Sequence, residues 1–312
     1  MQPPIVILTD FGTLDPYVGI MKGVLLQRGF QGPMVDLSHH IPPGDIARAA
    51  FVLWQSVDAF PPGTVFLVVV DPGVGTARRG MLLEVRDRRF VGPDNGVFSY
   101  VWSRQAAAWA LTQPAYRLPE PSTTFHGRDI FAPAAAHAAL GAAGPTFGPP
   151  ILDPVLLPTP RCTFRAPDRV EGQILHADHF GNLITSLGRL RAINPPRWRL
   201  EPWLGQDAAR TVVVRGVELP DGRVVPLVRT FAEVPAGQVA ALVGSTGLIE
   251  IVANRASAAE WTGWRGGEPV ALRVAIDQDG SDSADEAGES DKTHDASHER
   301  GAARPGPDAT PA

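Results

Sequence analysis

Hydrophobic and polar positions alternate in two distinct regimes along the chain. Over the first half, short apolar runs of strand length are separated by longer stretches with helical spacing. Ile5–Leu8 reads as a strand, Tyr17–Leu26 as a helix and Met34–Leu37 as a strand. Residues 45–60 follow with Ile46, Ala49, Ala50, Leu53 and Trp54 on one helical face. Thr64–Val70 is a nearly continuous β-branched run, as expected of a strand buried on both faces. Met81–Val85 and Arg89–Val91 read as strands, Gly92-Pro93-Asp94-Asn95-Gly96 as a turn, and Asp129–Leu140 as an Ala-rich helix. Such alternation predicts an α/β sandwich with a largely parallel central sheet over residues 1–150.

The pattern then changes. Prolines crowd residues 144–168, which reads as a Pro-rich linker over 151–168. From residue 169 to 276 short alternating runs are punctuated by turns: Val170–Ala177, Leu183–Ser186, Thr211–Val214, Val225–Arg229, Val239–Val243, Leu248–Val252 and Val270–Ile276. These predict a small all-β domain, a barrel. Residues 277–312 hold ten Asp/Glu and three Lys/Arg, no aromatic residue and no aliphatic larger than Ala. That tail cannot offset its ordering entropy by burial and is expected to be disordered. His294 and His298 within it, though spaced i, i+4, are not expected to bind metal.

Composition narrows the function. Outside the tail, 23 acids and 25 bases leave a net charge of +2, too balanced for a nucleic-acid footprint. The single Cys162 excludes a disulfide framework and a multi-cysteine zinc site. No apolar run exceeds six residues, as in Val65–Val70, so no membrane span is expected. MQPPIVILTDFG places no basic stretch before an apolar one, so a cytoplasmic protein is expected. The phosphate-loop, nucleophile-elbow and HExxH motifs are absent, and Gly73-Val74-Gly75 does not continue as a dinucleotide fingerprint.

In parallel sheets ligands bind beyond the carboxyl ends of strands, and Asp10, Asp36 and Asp71 fall just there. Five polar clusters interrupt otherwise apolar or glycine-rich turns. They are Thr9-Asp10-Phe11-Gly12 with Asp15, Asp71-Pro72-Gly73 running to Arg78, Phe125-His126-Gly127-Arg128-Asp129, Asp178-His179-Phe180-Gly181-Asn182, and Gly244-Ser245-Thr246-Gly247 running to Glu250. Singly, each has a plain structural reading. Asp before Pro-Gly is a turn residue, Arg78 a loop cation with Arg79 beside it, and His126 a packed histidine. Asp94 and Asn95 form a strong turn signal in their own right.

Taken in order, the five clusters resemble the S-adenosyl-L-methionine (SAM) hydroxide adenosyltransferases, the adenosine-forming SAM hydrolases related to the fluorinase and chlorinase. The resemblance runs from about Ile5 to about Val274. It implies an N-terminal α/β domain and a C-terminal β-barrel, a homotrimer with SAM bound between subunits, and no metal or other cofactor. It implies Asp71, Arg78 and His126 as the groups that activate water. It implies Asp10 on the ribose hydroxyls with Asp15 in the same loop, Asp178 on the methionine ammonium, and Phe180 and Asn182 at the adenine. Ser245, Glu250 and the backbone at Ala253 are implied as further substrate contacts. The halogenases of the family carry Tyr in place of the acid of Asp-Pro-Gly and lack the His, so Asp71 and His126 favour hydrolysis. The alternatives are a halogenase, a SAM- or nucleoside-binding module without turnover, and a metal-dependent hydrolase built from Asp10, Asp71, Asp94 and His126.

Overall fold

The computed structural model describes residues 2–194, 196–205 and 208–276. The tail, with His294 and His298, lies outside the described residues.

The first half alternates as the pattern predicts: β1 (Ile5–Thr9), α1 (Tyr17–Gln27), β2 (Met34–Ser38), α2 (Ile46–Ser56), β3 (Val65–Val69), β4 (Gly80–Val85), β5 (Arg88–Pro93) and β6 (Ala107–Ala110). They form one sheet of order β2-β1-β3-β5-β4-β6. β1, β2, β3 and β5 are parallel neighbours, and β4 alone runs against the rest. β1 and β3 are buried on both faces, which explains their unbroken apolar runs. Ile5 and Ile7 pack with Met21 and Leu25 of α1 on one side, while Val6 and Leu8 pack with Ala49 and Leu53 of α2 on the other. Asp45 caps α2 by accepting from Arg48 N at 2.9 Å. The Ala-rich helix differs from expectation at its start. Gly127–Phe131 is a π-helical turn, and only Ala132–Ala139 (α3) is regular. A wider turn of this kind is often found at functional sites.

The second half contains β7 (Thr163–Ala166), β8 (Arg169–Ala177), β9 (Leu183–Asn194), β10 (Arg197–Glu201), β11 (Arg210–Glu218), β12 (Val224–Val225), β13 (Leu227–Val228), β14 (Val239–Val243), β15 (Leu248–Ala253), α4 (Ala258–Thr262) and β16 (Pro269–Ile276). The circuit β9-β10-β11-β16-β8 closes through β8–β9 pairing into a five-stranded antiparallel barrel. β15, β14 and β13 extend the sheet from β9. Val170, Ile174, Leu187, Leu200, Val212 and Leu272 fill the core.

β9 runs eight residues beyond the predicted Leu183–Ser186, because its distal half pairs with β10, which the pattern missed. Ala192 and Ile193 follow Arg191 without a polar residue between them, and Ile193 is exposed, so the period-2 signal breaks there. Part of the Pro-rich segment is ordered as β7, with Cys162 buried before it. α2 joins the halves: Ala50 and Phe51 belong to the barrel's apolar cluster, while Ala49 and Leu53 belong to the sheet's.

Candidate active site

Parallel register brings two of the polar loops together. Thr9 at the end of β1 pairs with Val69 of β3, so the loops carrying Asp10 and Asp71 leave the sheet side by side. Asp10 Oδ2 accepts from Gly44 N at 2.8 Å. Gly44 has φ +73°, and a Cβ there would lie 3.5 Å from Pro72 Cβ, so this left-handed glycine ties the Asp10 carboxylate to the Asp71-Pro72-Gly73 turn.

Asp71 is almost fully enclosed, its side chain 4% exposed. Arg78 grips it with two hydrogen bonds, Nε to Oδ1 at 2.8 Å and Nη2 to Oδ2. The same Nη2 lies 2.7 Å from His126 Nδ1. A guanidinium only donates, so Nδ1 accepts and the imidazole is the neutral tautomer with its hydrogen on Nε2. Burial and the Arg78 charge hold His126 below the usual histidine pKa, with Asp71 and Asp129 opposing. Arg78 also lies over the Phe131 ring, 5.1 Å from its centroid.

The two neighbouring arginines take different partners. Arg79 turns away to Asp94 (Nε to Oδ2, 2.9 Å) and Asp153 (2.7 Å). Asp94 also accepts from Val155 N, so it holds the following segment in place. Asp36 pairs with Lys22 and His39. No group of three or more His, Cys, Asp or Glu side chains converges to hold a metal ion among the described residues.

Three rings that the sequence reading did not single out brace the loops. Phe11, Tyr17 and Phe125 contact one another edge-on at centroid distances of 5.3 to 6.0 Å, joining the residue after Asp10 to the residue before His126. Their adjacency to the two polar residues was the available signal. Asp15 stands exposed in the loop between them.

The barrel residues gather separately. Asp178 Oδ1 accepts from Phe180 N (2.9 Å) and Asn182 N (2.8 Å), and Oδ2 accepts from Asn182 Nδ2 (2.9 Å). The turn needs Gly181, whose φ is +82° and whose missing Cβ would collide with Ser257. Phe180, Asn182 and Ala253 line one cavity of about 540 Å³, with Phe231 and Arg255. Phe231, in a short turn, left no mark in the pattern. The Glu250 carboxyl lies against Gly244 where a Cβ would otherwise be. Burial, then the Asp178 charge, pushes its pKa up to about 7. Ser245 is part of the turn between β14 and β15.

Two separate polar clusters are therefore built. One, at the sheet, carries a coupled acid, cation and imidazole with a second acid beside them. The other, at the barrel, carries a pocket with two phenylalanines, and Asp178 is bonded to its Asn182. Comparison with known proteins places both halves of the chain in one family. Residues 5–148 match the SAM hydroxide adenosyltransferase N-terminal domain and residues 172–271 the C-terminal domain. The chain belongs to the SAM hydroxide adenosyltransferase family. It is similar to a protein of Thermus thermophilus named (R)-S-adenosyl-L-methionine hydrolase, 41% identical over 278 residues, 86% of this chain and 99% of that one. A fluorinase of Actinoplanes sp. (strain N902-109) is 26% identical over 82% of this chain and 92% of its own length. A solved structure of an uncharacterized conserved protein from Thermotoga maritima superposes with TM-score 0.69 at 27% identity, covering 87% of this chain and all of that one.

Proposed function

We propose that this chain hydrolyses S-adenosyl-L-methionine to adenosine and L-methionine, without a metal. The coupling of Asp71, Arg78 and His126 in one enclosed cluster carries the reading.

The chemistry follows from the substrate. Sulfonium makes methionine a neutral leaving group, so departure needs no acid. Water is the difficult partner, since its pKa of about 15.7 leaves little hydroxide. In the proposed step the water oxygen bonds to C5′ as the C5′–S bond breaks, and the electron pair of the broken bond stays on sulfur as the methionine thioether. Asp71 uses a lone pair not committed to Arg78 to take the water's proton. The Nε2–H of His126 donates to the water oxygen and aims its remaining lone pair. Arg78, bonded to both carboxylate oxygens, holds Asp71 in place until the proton moves. Asp10 accepts from the ribose hydroxyls, with Asp15 at the edge of the same loop. Phe180, Asn182 and the Ala253 backbone hold adenine. Asp178 and Glu250 face the methionine ammonium, with Ser245 beside them. An Asp71 carboxylate would repel a halide, which weighs against 5′-halo-adenosine formation.

We further propose a homotrimer in which the sheet half-site of one subunit meets the barrel half-site of its neighbour, in the cytoplasm. The exposed apolar Leu14, Tyr17 and Ile20 beside the Asp10 loop, and the exposed Phe180 and Phe231 at the barrel, support such a junction. Light scattering tests the assembly, and a monomer overturns it. Chromatography of SAM incubations, with and without chloride, fluoride and chelator, tests the reaction. Equimolar adenosine and methionine in every condition is expected. Halide-dependent halo-adenosine, loss of activity in chelator, or binding without product overturns it.

A further inference from the structure

A second cleft lies where α2 and the barrel meet, and it shares no residue with either half-site. It encloses about 580 Å³, within the range of small-molecule sites. Its wall is aromatic. Trp54 of α2 and Trp203 after β10 are 4.7 Å apart between ring centroids, and Tyr100 lies 5.3 Å from Trp203. Arg189 of β9 covers the Trp54 ring at 4.4 Å.

Two donors at this cleft are left over. Trp203 Nε1 and Arg189 Nε are buried without a hydrogen-bond partner among the described residues. Leaving such bonds unmade is costly, so a ligand bearing acceptors has something to offer here. The charged residues of the lining balance: Arg86 and Arg189 against Asp58 and Glu201. Net neutrality favours an uncharged ligand, and the acids can accept from its own N–H or O–H groups. An adjoining cavity of about 280 Å³ shares Tyr100, Thr159 and Trp203, and it carries Arg48, whose Nη1 is likewise unpartnered among the described residues. The cleft's own volume exceeds that of a bare heterocycle and suits one with a polar appendage.

We propose that this cleft is a second binding site, for an uncharged nucleoside, with its flat base against the tryptophans and its acceptors on Trp203 and Arg189. It goes beyond the hydrolytic reading and does not require it.

The probe is adenosine, titrated by calorimetry and tryptophan fluorescence against the full chain and against Asp10→Ala, which weakens ribose binding at the proposed active site by about tenfold to a hundredfold. Binding at one site per chain is expected to survive Asp10→Ala and to quench tryptophan emission. In that background Trp203→Phe is expected to weaken binding about fivefold and Arg189→Met about tenfold. AMP, carrying a phosphate, is expected to bind about tenfold more weakly than adenosine. In case the variants misfold, 8-azidoadenosine is photolysed on the unmodified chain and mapped by mass spectrometry, with labelling expected on peptides containing Trp54 or Trp203. Loss of all binding in Asp10→Ala, indifference to both cleft substitutions, tighter binding of AMP, or labelling confined to the Phe180 pocket would overturn the proposal. A chain that binds adenosine at the cleft yet never cleaves SAM would sink the hydrolytic reading alone.

Discussion

The Nη2 of Arg78 lies 2.7 Å from Nδ1 of His126 and also binds Asp71. One guanidinium thus sets the tautomer of the imidazole and the orientation of the carboxylate together. In the proposed step Asp71 is the proton acceptor and His126 the donor. Asp71→Asn is expected to lower kcat by about 10²–10⁴-fold with SAM binding retained. His126→Gln, which keeps an N–H donor, is expected to retain more activity than His126→Phe. Steady-state kinetics on the three variants checks this, and equal loss in both His126 variants would refute the donor role.

Because burial and Arg78 hold the His126 pKa below 6.5, the ring stays neutral through and somewhat below neutral pH. Protonation would put a hydrogen on Nδ1, facing the Arg78 guanidinium, and break the contact. A pH profile of kcat is therefore expected to be flat from about pH 8 to about 6.5 and to fall only below it. Removal of that acid limb in His126→Gln identifies the group.

Glu250 titrates the other way. Its folded pKa of about 7 lies above the ordinary 4.5, so the folded chain holds a proton that the unfolded chain releases between those values. The resulting penalty to stability is absent below pH 4.5, grows as pH rises, and is complete above about pH 7. Glu250→Gln is expected to raise Tm by a few degrees at about pH 8 and to leave it nearly unchanged at about pH 4.5. In the unsubstituted chain the KM for SAM is expected to fall as pH rises through about 7, since the carboxylate then faces the ammonium. Calorimetric melts and KM profiles read both effects.

Gly181 is the steric keystone of the barrel half-site, with φ +82° and Ser257 where a Cβ would go. Gly181→Ala is expected to cost about 1–3 kcal/mol of stability and to raise KM more than it lowers kcat. Denaturant melts and steady-state kinetics separate the two. A parallel substitution, Asp10→Ala, is expected to raise KM by about tenfold to a hundredfold, the worth of charge-assisted hydrogen bonds to the ribose.

Much of this was legible in the residues. The continuous apolar runs of β1 and β3 announced strands buried on both faces, and strand ends located Asp10 and Asp71. What the pattern could not carry was three-dimensional pairing. Arg78 and Arg79 are chemically identical neighbours, and only the path of the chain sends one to Asp71 and the other to Asp94. The β9–β10 hairpin hid because Ala192 and Ile193 break the alternation begun by Arg189-Leu190-Arg191, and both are exposed. Asp129–Phe131 was read as the start of the Ala-rich helix, since nothing in Gly127–Phe131 marks the wider winding. Trp54 and Trp203 lie far apart along the chain and meet only when the barrel closes against α2.

The central claim is attack of water at C5′ of SAM. Its most direct test is incubation of the chain with SAM in water enriched in oxygen-18, followed by mass spectrometry of both products. The account predicts adenosine carrying one heavy oxygen at its 5′ position and methionine carrying none. Unlabelled adenosine, label in methionine, or a 5′-halo product in halide-containing buffer would contradict it.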